Sequence, residues 1–201
     1  MAWLILGLFL FLGAHSVRIF ADDWRSRTIE AWGEKTFKGV YALVSLVGFY
    51  ALIVGYNEVR MQPIPIWQPP TATRHISVLL MLLASILLVA TYIPGNFFKV
   101  RMGHPMILSV KVWALSHLLA NGNLADLVLF GTFLLWSVLI FKTSRARDRA
   151  AAAAQTMDEQ LQTPKPKITA TLAAVVLGAL LWASITFHLH ALVVGISPMG
   201  R

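Results

Sequence analysis

Six long apolar stretches constrain this chain more than any other feature. They cover residues 2–20, 37–56, 75–93, 105–121, 124–141 and 168–194. A helix rises about 1.5 Å per residue, and the hydrocarbon core of a bilayer is about 30 Å thick, so runs of this length are read as membrane spans. Charged residues make up 13% of the chain, and the mean hydropathy is +0.68. A soluble domain carries about 25% charge. The expected fold is therefore all-α: a polytopic membrane helical bundle of about six transmembrane helices, forming a single domain over residues 1–201.

The connecting segments set the orientation. The net charge is +8, but the basic residues fall in short segments between apolar runs rather than on one basic face. That is the membrane pattern and argues against nucleic acid as a partner. Thirteen Lys and Arg residues lie by the first, third and fifth connections, including Arg18, Arg25, Lys38, Lys99 and Arg145. The opposite side holds Arg60, Arg74 and Arg201, and Lys111 lies inside a span. The positive-inside rule then places both termini outside the cytoplasm. The first apolar run has no basic residue before it, so it reads as a retained span rather than a cleaved signal peptide.

Between spans, Asp22 to Lys38 is a polar segment of mixed charge. Asn57 to Arg74 is broken by Pro63, Pro65, Pro69 and Pro70, and is expected to form a loop whose Ile64, Ile66 and Trp67 pack at the membrane surface. Asn123 to Asp126 has the form of a helix cap followed by an acid three residues on. Lys142 to Lys167 is polar and alanine-rich, expected to be partly helical and outside the lipid.

The most informative stretch is GHPMILSVKVWALSHLLANG, residues 103–122. Pro105 is placed for the first turn of a helix, where its missing N–H costs nothing, and Gly122 for the end. Roughly 25 Å of helix lies between them. A lysine and a histidine inside it are costly in lipid and should face the protein interior.

His15 and His117 are the two histidines well inside spans. On helices of opposite direction their depths differ by roughly 8 Å, within the reach of helix tilt, which brings them to meet across a bundle. Two neutral imidazoles from different helices suit the axial positions of haem iron. Trp113 and Asn121 lie four residues either side of His117, on its helical face, to pack on a flat ring and to orient a ligand. Arg18 and Lys111, with Arg101, lie toward the cytoplasmic side and suit carboxylate groups such as haem propionates. His104 begins its helix beside Pro105, as a cap or anion contact. The same pattern also fits a purely structural polar pair, with Lys111 snorkelling to the interface. His188 and His190, two residues apart, face nearly opposite ways and make a poor joint metal site, although either is deep enough to replace a proposed ligand. His75 reads as a solvated end residue. With no cysteine, disulfides, cysteine-bound clusters and covalent haem attachment are excluded.

Three segments carry a resemblance. GAHSVRI at 13–19, GHPMILSVKVWALSHLLANGN at 103–123 and the run ending LLWSVLIF resemble the NnrU family of bacterial membrane proteins over nearly the whole chain. The resemblance implies a link with nitrite and nitric oxide metabolism in denitrifying bacteria, and hence an inner-membrane location. That family is in turn similar to zeta-carotene isomerase, a membrane enzyme containing haem b. Its axial histidines lie in an AHS segment of an early span and in an FSH segment that follows an RHP motif. Carried over, these fall on His15, followed by Ser16, and on His117, preceded by Ser116, with His104 as the histidine of the RHP motif. Ala114 stands where the isomerase has a cysteine, so no thiolate chemistry is available there. Gly103 replaces the arginine of RHP, with Arg101 close by.

Three functions are thereby set against one another. One is a haem protein of nitrogen-oxide metabolism. Another is a haem-dependent cis–trans isomerase of an apolar, carotenoid-like polyene entering from membrane lipid. The third is a non-catalytic membrane interaction protein with structural histidines. The ligands to weigh are correspondingly haem, nitric oxide and a polyene.

Overall fold

A computed structural model describes residues 1–156 and 165–199. Arg201 of the charge comparison and residues 157–164 of the alanine-rich connection lie outside the described residues. Among the described residues the elements are all helical, in the order α1 (Ala2–Phe20), α2 (Asp22–Trp32), α3 (Glu34–Arg60), α4 (Thr71–Ala90), a π-helical turn (Phe98–Met102), α5 (Pro105–Ala120), α6 (Leu124–Ala153) and α7 (Ile168–Ser184). A second π-helical turn (Ile185–Leu189) and the short α8 (His190–Val194) end it. Among the described residues five helical segments are long and apolar enough to cross a membrane: α1, α3, α4, α6 and Ile168–Val194. The sixth apolar helix, α5, is shorter at 16 residues, or about 24 Å. This is a multi-pass helical membrane protein.

Two boundaries differ from expectation for local reasons. The polar segment after α1 forms α2, with Asp22 and Asp23 in its first turn, where carboxylates complement the helix dipole. Gly33, at φ +82°, then turns the chain into α3, a conformation that side chains with a Cβ rarely adopt. The fifth apolar run extends as α6 well past the lipid-length segment, to Ala153, because Arg and Ala are strong helix formers.

The described residues fold as two compact units: 1–68 with 122–136, and 69–121 with 137–156 and 165–199. In the first, α1 and α3 pack antiparallel along a glycine seam. A Cβ on Gly7 would lie 2.5 Å from the Leu52 nitrogen, and one on Gly48 would lie 2.7 Å from the Phe11 nitrogen. Gly55 is similarly pressed on Leu4. Small residues let apolar helices approach at backbone distance, where dispersion replaces the hydrophobic drive that lipid does not supply. Leu4, Leu8, Leu12 and Leu52 fill the seam.

The proline-rich loop of this unit is tied down by its backbone. Ile66 N–H donates to the Gly122 carbonyl (2.8 Å), and Leu124 N–H donates to the Ile64 carbonyl (2.9 Å). Gly122 is glycine because the Trp67 carbonyl occupies the place of a Cβ. At the start of α6, the Asp126 carboxylate accepts from the Asn123 backbone and side-chain amides (3.1 and 3.2 Å) and from the Tyr56 hydroxyl (2.5 Å). Asp126 is 3% exposed, so these bonds hold an acid that would otherwise be costly to bury.

In the second unit, α4 packs antiparallel to both α5 and α7. Ser109 Oγ donates to the Ala84 carbonyl (2.8 Å) and Ser116 Oγ to the Ser77 carbonyl (2.9 Å), while Ala114 is fully buried. Trp182 Nε1 donates to the Val78 carbonyl (3.0 Å), and Gly178 lies against Ile86. The turn after α4 is held by fully buried Asn96, whose amide donates to the carbonyls of Ala90 and Ile93 and accepts from Lys99 N–H.

Candidate functional site

His15 stands in the fourth turn of α1, half-buried. Its Nδ1 is 2.7 Å from the Phe11 carbonyl, four residues back. A carbonyl only accepts, so Nδ1 carries the proton and Nε2 the lone pair. The ring lies against Phe11 (centroids 4.4 Å) and Tyr41 (5.4 Å), with Trp136 edge-on at 6.4 Å. Trp136 is fixed by donating Nε1–H to Ser16 Oγ (2.9 Å), and Ser16 in turn donates to the Leu12 carbonyl (2.6 Å). Ser16 therefore positions an aromatic wall beside His15. Tyr41 and Trp136 were not legible as site residues, because each is one aromatic among many apolar residues in its own span.

His117, near the C-terminal end of α5, repeats the arrangement. Its Nδ1 is 2.9 Å from the Trp113 carbonyl, and the Trp113 ring lies 5.2 Å away. A carbonyl only accepts, so here too Nδ1 carries a proton. Trp113 thus shares the histidine's face, as the spacing of four requires. Asn121 has a local duty: its Nδ2 donates to the His117 carbonyl (2.9 Å), and its backbone ends α5 in extended conformation.

His104 and Lys111 belong to the second unit. His104 caps α5 with φ +45°, a left-handed conformation unusual for a residue with a Cβ. Its Nε2 is 2.9 Å from Asp148 Oδ2, and Arg145 Nη1 lies 3.6 Å from the same oxygen. The pairing spans 44 residues and gives no sequence signal, since Asp148 lies in an ordinary charged segment. Lys111 Nζ sits 4.5 Å above the Phe141 ring, a cation–π contact that lowers the cost of an ammonium in an apolar helix. Arg18 is exposed at the end of α1 and lines a cavity with His15.

The remaining histidines are peripheral. His75 and His188 are exposed, and His190 Nδ1 lies 2.6 Å from the Ile196 carbonyl. Among the described residues no three His, Asp or Glu side chains converge as a metal cage. An iron coordinated by only two of these imidazoles would need four further ligands, the number a porphyrin brings. His15 belongs to the first unit and His117 to the second, and each by itself offers what that group needs of a ligand: an imidazole held through Nδ1 beside an aromatic ring.

Residues 3–198 match the family model described as NnrU protein. No curated protein and no solved structure matches the chain.

Proposed function

The chain belongs to the NnrU family, and from that premise we propose that it is a haem-binding protein of the bacterial inner membrane, with both termini periplasmic, in which His15 and His117 would hold haem b. The supporting observation is the matched preparation of the two imidazoles. Each directs Nδ1 onto the carbonyl four residues back, Phe11 for His15 and Trp113 for His117. A ligand histidine held through its other nitrogen has its tautomer and ring orientation set in advance and is a stronger donor for it.

The residues divide the work. Ser16 fixes Trp136 beside His15, and Trp113 stands beside His117, giving each imidazole an apolar aromatic flank that shields it from water. Arg18 offers a guanidinium, one helical turn from His15, to a propionate carboxylate. Lys111 and His104 support α5 through Phe141 and Asp148. When bound, haem supplies an iron centre able to exchange an electron or take a small diatomic molecule such as nitric oxide. In this reading the chain serves nitrite and nitric oxide metabolism as a sensor, an electron carrier or the support of a reductase.

A second reading, cis–trans isomerisation of an apolar polyene, draws on the His15–Ser16 and Ser116–His117 pairs that also resemble zeta-carotene isomerase. Both serines here have structural bonds, Ser16 to Trp136 and Ser116 to the Ser77 carbonyl. His15→Ala and His117→Ala should each shift or abolish the Soret band of the purified protein. An unchanged spectrum in both would move the ligands to His188 or His190. Conversion of a cis-carotene by the reduced protein would select the isomerase over the nitrogen-oxide role.

A further inference from the structure

Helix α2 is too short and too polar to span a bilayer. Its 11 residues make about 16 Å of helix, half of the hydrocarbon thickness. Asp22, Asp23, Arg25, Arg27 and Glu30 are charged. It is nevertheless fastened to a span on each side. Ala21 alone separates it from α1, and Gly33 alone from α3. The Trp24 ring meets Phe37 of α3 edge-on at 6.5 Å, and the Arg25 guanidinium stands 5.9 Å over the same ring. Thr28 is buried and donates to the Trp24 carbonyl (2.7 Å).

The helical period sorts the remaining side chains. Trp24 and Trp32 are eight residues apart, about 12 Å along the axis and about 80° round it, with buried Thr28 midway between them. Both indoles therefore flank the face that packs on the spans, yet they are exposed by 50% and 55%. Asp22, Asp23, Ser26, Arg27 and Glu30 take the opposite face, and all are exposed. Indoles beside the inward face and charges opposite make the pattern of a helix lying in a membrane interface. The apolar surface is continuous with that of the spans: Phe20 is 74% exposed at the end of α1, and Val40 and Leu43 are exposed near the start of α3. With three acids against two bases, α2 is not drawn to an anionic surface by charge.

We propose that α2 is an in-plane interfacial helix, with or without haem in the protein. Trp24 and Trp32 sit in the phospholipid headgroup layer, where an indole keeps its ring in an apolar environment and its N–H in a polar one. Asp23, Arg27 and Glu30 turn to water.

The chain has no cysteine, so one introduced thiol carries a single fluorophore. Trp24→Cys, Trp32→Cys, Arg27→Cys and Glu30→Cys, each labelled and placed in phosphatidylcholine nanodiscs, test this with two quenchers: aqueous iodide, and phosphatidylcholine bearing a nitroxide near its headgroup. The nitroxide lipid quenches the labels at positions 24 and 32, iodide quenches those at 27 and 30, and added phosphatidylglycerol changes neither. Iodide that reaches all four positions alike overturns the proposal. So do labels at 24 and 32 shielded from both quenchers, which places protein, such as a second copy of the chain, over the indoles. Lipid quenching there that requires phosphatidylglycerol overturns tryptophan as the anchor. A conservative pair, Trp24→Phe/Trp32→Phe, repeats the test without a label. Brominated phosphatidylcholine removes less tryptophan emission from this pair than from the unaltered chain, and an equal loss from both overturns the proposal.

Discussion

Gly7→Ala tests the seam that holds the first unit together. A Cβ at this position would lie 2.5 Å from the Leu52 nitrogen and 2.9 Å from both the Ala51 carbonyl carbon and the Gly48 carbonyl oxygen. All three are backbone atoms of α3, so no rotamer change relieves the clash. Ordinary contact begins near 3.5 Å, so α1 and α3 must part by about 1 Å. That separation loosens Leu4, Leu8 and Leu52, which are exposed by 7% or less. Overpacking of this kind costs about 1–3 kcal/mol. Alanine also gains about 1 kcal/mol over glycine in helix propensity, which masks part of the cost. Gly13→Ala on the same helix removes this ambiguity, because a Cβ there meets nothing within 4 Å. Both variants take the propensity gain, so their difference isolates the seam. Thermal unfolding in detergent, followed by circular dichroism, should place Gly7→Ala below Gly13→Ala by about 2–4 °C per kcal/mol of that difference. Equal midpoints would refute the close approach of the two helices.

Three further outcomes follow from polar contacts, backbone conformation and charge. Asp126→Ala removes the acceptor of the Tyr56 hydroxyl and of two Asn123 amide hydrogens, and equilibrium unfolding should show a loss of about 2–4 kcal/mol. His104→Gly should be more stable than His104→Ala by about 1–2 kcal/mol, because both lose Asp148 and only alanine retains the penalty of φ +45°. A reporter fused to the C terminus should be active only outside the cytoplasm, and cytoplasmic activity would reverse the assigned orientation.

The helical membrane fold was legible because it rests on one-dimensional signals. Run length marked α1, α3, α4 and α6, and Pro105 placed the first residue of α5. The cap at Asn123–Asp126 was visible for the same reason, since its two ends are three residues apart. What escaped the sequence depends on distant partners. Helix α2 looked like a polar connection, because its hydrophobic content is low and its helicity is seen only beside α1 and α3. The positions of Gly7 and Gly48 in the seam required the antiparallel pairing of those two helices. Trp136 and Asp148 act on His15 or Ser16 and on His104 across 120 and 44 residues, with no local pattern to announce either. Conversely, Trp113 and His117 sit on one helical turn, and their pairing follows from spacing alone. Gly122 was expected where a helix ends, yet the structure makes it glycine for the close approach of the Trp67 carbonyl.

Absorption spectra of the protein purified from haem-replete cells decide whether this chain carries haem through imidazoles whose tautomers its own backbone sets. They are recorded in oxidised and reduced states, with a pyridine haemochrome assay for content. The expected result is a Soret band, about one haem b per chain, and the low-spin spectrum of two imidazole ligands. A colourless preparation from those cells would contradict the assignment and leave His15 and His117 as structural residues of a membrane interaction protein.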